Sequence, residues 1–217
     1  MEMEVVQAVA RHAEEVMGKE GFRHVSEIVA TCKMLALEME AREDGEDEAE
    51  AIDMDALVCA GYLHDISTHA HGYQNHQLTS AEMAVAFLQT LDVADDDVRK
   101  VKQAILAHTT HVASEEQPAV SIEGRVLYDA SNLGHLSGLA VVTALIEFGA
   151  RYRERYRNQE INGEILAAVL QHMEERFVDL YQSLYTASAR AMAQEKFGQT
   201  LAFIDGVIEH LSDSTPV

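Results

Sequence analysis

Apolar residues recur along most of this chain at intervals of three and four, the spacing of one face of an α-helix. Val5, Val6, Val9, Ala13 and Val16 form the first stripe, and Gly18 and Gly21 end it, predicting a helix over residues 2–18. Val25, Ile28, Val29, Cys32 and Leu35 form a second over 22–41. The acidic tract EDGEDEAEA then reads as a solvated connection. Asp53 stands where a cap belongs for a third helix, MDALVCAGYLHD, with Leu57, Ala60, Gly61 and His64 inward. ISTHAHGYQNHQL reads as a loop, and Thr79 or Ser80 as the cap of a fourth helix facing inward with Met83, Phe87 and Leu91. The fifth, DDDVRKVKQAILAHTTH, opens on three aspartates that suit the positive end of the helix dipole. A loop with Pro118 precedes a sixth helix over 122–133, and three more follow over 136–153, 163–188 and 190–211. No segment reads as a strand, so the pattern predicts an all-α fold.

Composition agrees with long helices and brief loops, since only 2 prolines and 12 glycines punctuate 217 residues. Charge narrows the partners. Lys and Arg number 16 against 37 Asp and Glu, for a net charge of −21. Such a surface repels the phosphate backbone of nucleic acid and anionic membranes, so neither is an expected partner. A small phosphate ester stays open, because a metal ion supplies locally the positive charge the surface lacks. Cys32 and Cys59 lie among apolar residues without a CxxC pair and read as buried, reduced thiols. The amphipathic, acidic start is unlike a secretory signal, and no apolar run nears the roughly 18 residues of a membrane span, so a cytoplasmic location is expected.

The informative positions are polar residues on apolar stripes, because burying them is costly unless something satisfies them. His24 stands in line with Ile28, Thr31 and Leu35, and His64 follows Leu57, Ala60 and Gly61. His108 continues Val98, Val101 and Ile105, while Asp129 interrupts Ile122, Val126 and Leu133. One inward histidine alone reads as a hydrogen-bonded core residue. If the four stripes converge, a divalent cation would satisfy all of them, and imidazole combined with carboxylate suits Mn²⁺, Fe²⁺, Zn²⁺ or Mg²⁺. His64 and Asp65 are adjacent and cannot share a direction on a regular helix, so the helix must end or distort there.

The order of RHVSEIV, GYLHDIS and RVLYDASNL resembles the HD-domain superfamily of metal-dependent phosphohydrolases, over roughly residues 20–135. The resemblance implies an HD-domain helical bundle with additional C-terminal helices: one all-helical domain over 1–217, with an HD core about 20–135 and an extension about 136–212. It implies metal ligation by His24, His64, Asp65 and Asp129. NHQLTSAEMAVAFL and VKQAILAHTTH are similar to segments that carry a second metal in some of these families. His76 and His108 would then be its ligands, with Asp65 bridging; alternatively His108 faces substrate in a one-metal site. Two motifs depart from the common pattern: HDIGK is here HDIST, and DADxLD is here DASNLGH.

The implied activity is hydrolysis of a small phosphoester or phosphoanhydride, with nucleotides the substrate class, through metal-activated water. Asp65 would orient or deprotonate that water, His108 or His111 would protonate the leaving oxygen, and Arg23 would contact phosphate. His69 and His71, near the motifs, read as surface residues with a lesser claim to substrate contact. Two alternatives remain: an oxygen-activating di-iron enzyme, and a non-enzymatic helical regulatory or interaction module with a structural metal. The apolar face Leu166, Val169, Leu170, Met173, Phe177, Leu180 and Leu184 packs on the core or forms a homodimer surface.

Overall fold

The computed structural model describes residues 1, 3–41, 51–72, 75–109, 120–136, 138–157 and 159–213; the acidic tract over 42–50 and His111 lie outside them. All regular structure among the described residues is helical, in nine helices. The chain divides into two compact units, Met1–Ser131 and Asn132–Val217.

In the first unit, α1 (Met3–Ala41) spans both N-terminal stripes. Gly18, at φ 70°, is its one non-helical residue, a left-handed conformation that glycine adopts without the steric cost of a Cβ. The predicted break is therefore a kink of one residue, and helix resumes at once. Val25, Ile28, Val29, Cys32 and Leu35 are buried as their spacing predicts. His24 is exposed, which corrects its expected inward position: the buried stripe passes beside it through Val25. Both cysteines are buried free thiols, and burial pushes each pKa up to about 12.

α2 (Met54–Leu63) begins under Asp53, whose carboxylate accepts a hydrogen bond from the Ala56 N–H at 3.1 Å. Lys100 Nζ donates to the other Asp53 oxygen at 2.6 Å, and the Asp53 N–H donates to the buried Glu123 at 2.9 Å. α1 packs on α2, and Gly61 sets how closely. A Cβ there would lie 2.7 Å from Val29 Cγ2, so only glycine permits the approach. α2 ends at Leu63, so the helix stops at His64-Asp65 as their adjacency requires.

The segment expected to be loop contains α3 (Thr68–His71), a single turn that leaves His69 and His71 exposed. α4 (His76–Thr90) starts earlier than expected, after Asn75 in the left-handed region at φ 55°. Thr79 and Ser80 are inside it rather than capping it. Its buried residues are Ser80, Ala81, Ala84 and Leu88, while Met83, Phe87 and Leu91 are half-buried. Phe87 instead stacks on His12 of α1, ring centroids 3.8 Å apart.

α5 (Asp95–Ala107) packs on α4 and α2 and buries Val98, Val101, Ala104 and Ile105. It ends at His108 rather than continuing to His111. α6 (Ile122–Leu133) is buried over most of its circumference, including Val126, Leu127, Tyr128, Asp129 and Ala130.

The second unit holds α7 (Gly138–Arg155), α8 (Gly163–Ser183) and α9 (Ala187–Asp213). Asn162 caps α8 through Ile165 N–H at 2.9 Å. α8 stops short of its predicted end because Leu184 is extended and Thr186 Oγ1 accepts from Ala189 N–H at 3.1 Å, capping α9. On the α8 stripe Leu170, Phe177 and Leu184 are buried and their neighbours half-buried. An open apolar groove of about 590 Å³ lies between α7 and α8, lined by Phe148, Tyr152, Tyr156 and Val169 among others. No helix of the described residues is long and apolar enough to cross a membrane.

Candidate metal centre

Two helix C-termini build the site. His64 follows α2 and His108 follows α5, each in the C-cap position. The last carbonyls of a helix lack partners within it. Here the Gly61 carbonyl accepts from His64 Nδ1 at 2.8 Å, and the Ile105 carbonyl accepts from His108 Nδ1 at 2.5 Å. In the neutral ring, each bond places the proton on Nδ1 and leaves Nε2 as a bare lone pair. Both side chains are almost fully buried.

Asp65, also buried, lies between them. Its Oδ2 is 3.6 Å from His64 Nε2, and its Oδ1 is 3.8 Å from His108 Nε2 and 3.2 Å from His76 Nε2. His76, at the first position of α4, also faces His108, Nε2 to Nε2 at 3.2 Å. Ligand atoms of His64, Asp65 and His108 all lie within 4.8 Å of one another. Yet Asp65 Oδ1 is sealed from solvent without a hydrogen bond of acceptable geometry.

Electrostatics follow from this crowding. Burial drives the His64 pKa down to about 4, against the raising influence of Asp65, so its imidazole is neutral at pH 7. Burial works to raise the Asp65 pKa, but the pull of His108, His64 and His76 outweighs it and holds the carboxyl at about 2. The centre therefore sets a buried carboxylate against the Nε2 atoms of His64, His108 and His76, and in the neutral rings of His64 and His108 those atoms are lone pairs. Such a donor set fits a divalent cation, whose ligands must be deprotonated. Imidazole and carboxylate together select a borderline to hard ion.

The structure thus brings together His64, Asp65, His108 and His76. His24 stands at the rim of α1, exposed, with its charge felt at His64. Asp129 is fully buried on α6, and its charge is felt at Cys32. Arg23, proposed for phosphate, is exposed and pairs with Glu20 at 2.9 Å. His69 and His71 are exposed on α3.

The pattern did not reveal two serines behind the site, Ser67 and Ser80. Both are 0% exposed and hydrogen-bonded to one another at 2.9 Å. Their signal was available: Ser80 interrupts the buried stripe Ala81, Ala84 and Leu88 as His108 interrupts that of α5.

Comparison with known proteins identifies the family to which this region belongs. The family described as HD domain matches residues 21–134, which include every residue of the centre. No curated protein sequence matches significantly. A crystal structure of a Lactobacillus plantarum protein superposes with a TM-score of 0.68 at 18% identity, over 98% of this chain and 99% of that one. A crystal structure of an HD-superfamily hydrolase from Bacillus thuringiensis superposes at 0.66 with 17% identity, over 98% of each chain.

Proposed function

The chain belongs to the HD domain family, and on that premise we propose that it is a phosphohydrolase that cleaves a small phosphoester or phosphoanhydride, with a nucleotide as substrate. Family membership and the centre support a metal-dependent hydrolase in general. The similar Bacillus thuringiensis structure is of an HD-superfamily hydrolase, and the phosphate ester is our own extension.

One observation carries the reading: a buried, ionised carboxylate oxygen without a hydrogen bond, beside His64 and His108, whose Nδ1 protons go to backbone carbonyls. An anion in that position needs a cation. His64 and Asp65 would hold the first ion, with His24 and Asp129 completing its ligands; His108 and His76 would hold a second, with Asp65 between. The bound ion would supply activated water and neutralise phosphoryl charge.

The chain's own groups supply the rest. The Gly61 and Ile105 carbonyls fix the two ring orientations before any ligand arrives, which limits the reorganisation the reaction requires. Asp65, ionised at pH 7, orients the attacking water and can take its proton. His108, if it is not a ligand, can take up a proton at Nε2 and pass it to the leaving oxygen, keeping its Nδ1 proton on the Ile105 carbonyl; His111 is the other candidate donor.

The test is a hydrolysis screen over nucleotides and simple phosphoesters, with Mn²⁺, Fe²⁺, Zn²⁺ or Mg²⁺ added in turn to metal-free protein. Turnover should appear only with an ion and vanish in Asp65→Ala. No turnover of any phosphate ester by fully loaded protein would defeat the reading.

A further inference from the structure

We propose that Ser67 and Ser80 form a buried hydroxyl clamp that positions His76 for the second ion, an inference that rests on the metal-centre reading above. Ser67 lies two residues beyond Asp65, in the turn that ends α2. Ser80 lies on α4 four residues after His76, hence on the same helical face. Both are fully buried.

Their hydrogen bonds close in one direction only. Ser67 N–H donates to Ser80 Oγ at 3.2 Å, and Ser67 Oγ donates to the His76 carbonyl at 3.1 Å. The Ser67 hydroxyl proton is thereby used. The 2.9 Å contact between the two hydroxyls must then run from Ser80 to Ser67. Ser80 accepts from the turn carrying Asp65 and donates back to it, while Ser67 holds the backbone of His76 itself. The clamp ties the turn that carries Asp65 to the backbone of His76, which would hold the second ion.

The first turn of α4 has no side-chain cap: Asn75 precedes it in the left-handed region and contributes only its backbone carbonyl, which accepts from Leu78 and Thr79 N–H at 3.1 and 3.4 Å, so the Ser67 bond to His76 is a side-chain tie this turn otherwise lacks. Ser67 also occupies the third position after the histidine of HDIST, where the common HDIGK has glycine and no hydroxyl. The departure is thus a gain of one donor, and that donor goes to His76.

The test is Mn²⁺ titration of metal-free wild type, Ser80→Ala, Ser67→Ala, His76→Ala and the Ser80→Ala/His76→Ala pair, read by calorimetry and metal counting. Loss of a group that orients a ligand weakens metal binding by about 10–100-fold. Either serine variant should weaken the second ion by that factor and leave the first ion's affinity unchanged. The pair should match His76→Ala alone, because a residue acting through His76 has nothing left to position. Serine variants that bind both ions as wild type does, lose both equally, or add to His76→Ala overturn the clamp. Wild type that binds no Mn²⁺ defeats the metal centre itself, a separable failure. If one serine variant does not fold, the other carries the test.

Discussion

Replacing Asp65 with alanine removes the group on which the metal reading turns, and its effect divides into two measurable parts. In metal-free protein the change deletes a carboxylate attracted to three imidazoles but also deletes a buried oxygen with no hydrogen bond. These oppose one another, so the metal-free melting temperature should move little. With metal the balance changes. An ion at 100 times its dissociation constant stabilises the folded state by about 2.7 kcal/mol. At about 4 °C per kcal/mol for a unit of this size, wild type should gain about 10 °C on loading. Asp65→Ala should gain almost nothing, while its far-ultraviolet circular dichroism stays that of wild type. The assay is differential scanning calorimetry of both proteins with chelator and with excess Mn²⁺. A variant that keeps the metal-dependent gain would show that the ion binds elsewhere and refute the reasoning.

Three further outcomes follow from the same geometry. Gly61→Ala drives a methyl group to 2.7 Å from Val29 Cγ2; overpacking of about 1–3 kcal/mol, reduced by about 1 kcal/mol of helix propensity, should show in urea denaturation. Adding Val29→Ala should recover much of that loss, and simple additivity of the two would contradict the proposed contact. Metal-free stability should also fall with pH. The His64 pKa drops from 6.5 unfolded to about 4 folded, so the unfolded chain takes the proton first as pH falls. Stability present above about 6.5 should decline by about 3 kcal/mol down to about 4, and His64→Gln should flatten that window. Asp65 acts lower: its folded pKa of about 2 contributes stability above 3.8 that is lost as pH falls toward 2. Finally, His108→Ala should cut bound metal from two ions to one if His108 is a ligand; in a one-metal enzyme it should spare the stoichiometry and lower turnover by ~10²–10⁴-fold.

Spacing made much of this fold legible because local periodicity and burial coincide in α2, α5 and the second half of α1. His64 and His108 were found as interruptions of apolar stripes, and both are buried where the stripes end. His24 shows the limit. It shares the periodicity of its neighbours, but a stripe has edges, and a small rotation of α1 leaves it exposed while Val25 is buried. Ser80 shows a different limit. A serine near the start of a helix satisfies the pattern of a cap as well as that of a buried residue. Its partner Ser67 lies thirteen residues away, and only the fold brings them together.

The arrangement also explains why a cation suits this place in a chain of net charge −21. A helix C-terminus carries the negative end of the peptide dipole, about half an elementary charge. α2 and α5 both end at the centre, and each uses one terminal carbonyl to hold an imidazole proton away from it. The Ile105 carbonyl also accepts from the His108 N–H at 3.4 Å. Those bonds turn the Nε2 atoms toward Asp65. Carbonyl dipoles, lone pairs and an ionised carboxylate thus add in one direction, making a negative potential that an ammonium or guanidinium group could also answer. No Lys or Arg does so among the described ion pairs of Asp65, whose partners are all histidines. Under the proposed reading the neutralising charge would come from an ion from solution, and such an ion can bring to the site the water and the phosphoryl contacts that a side chain cannot.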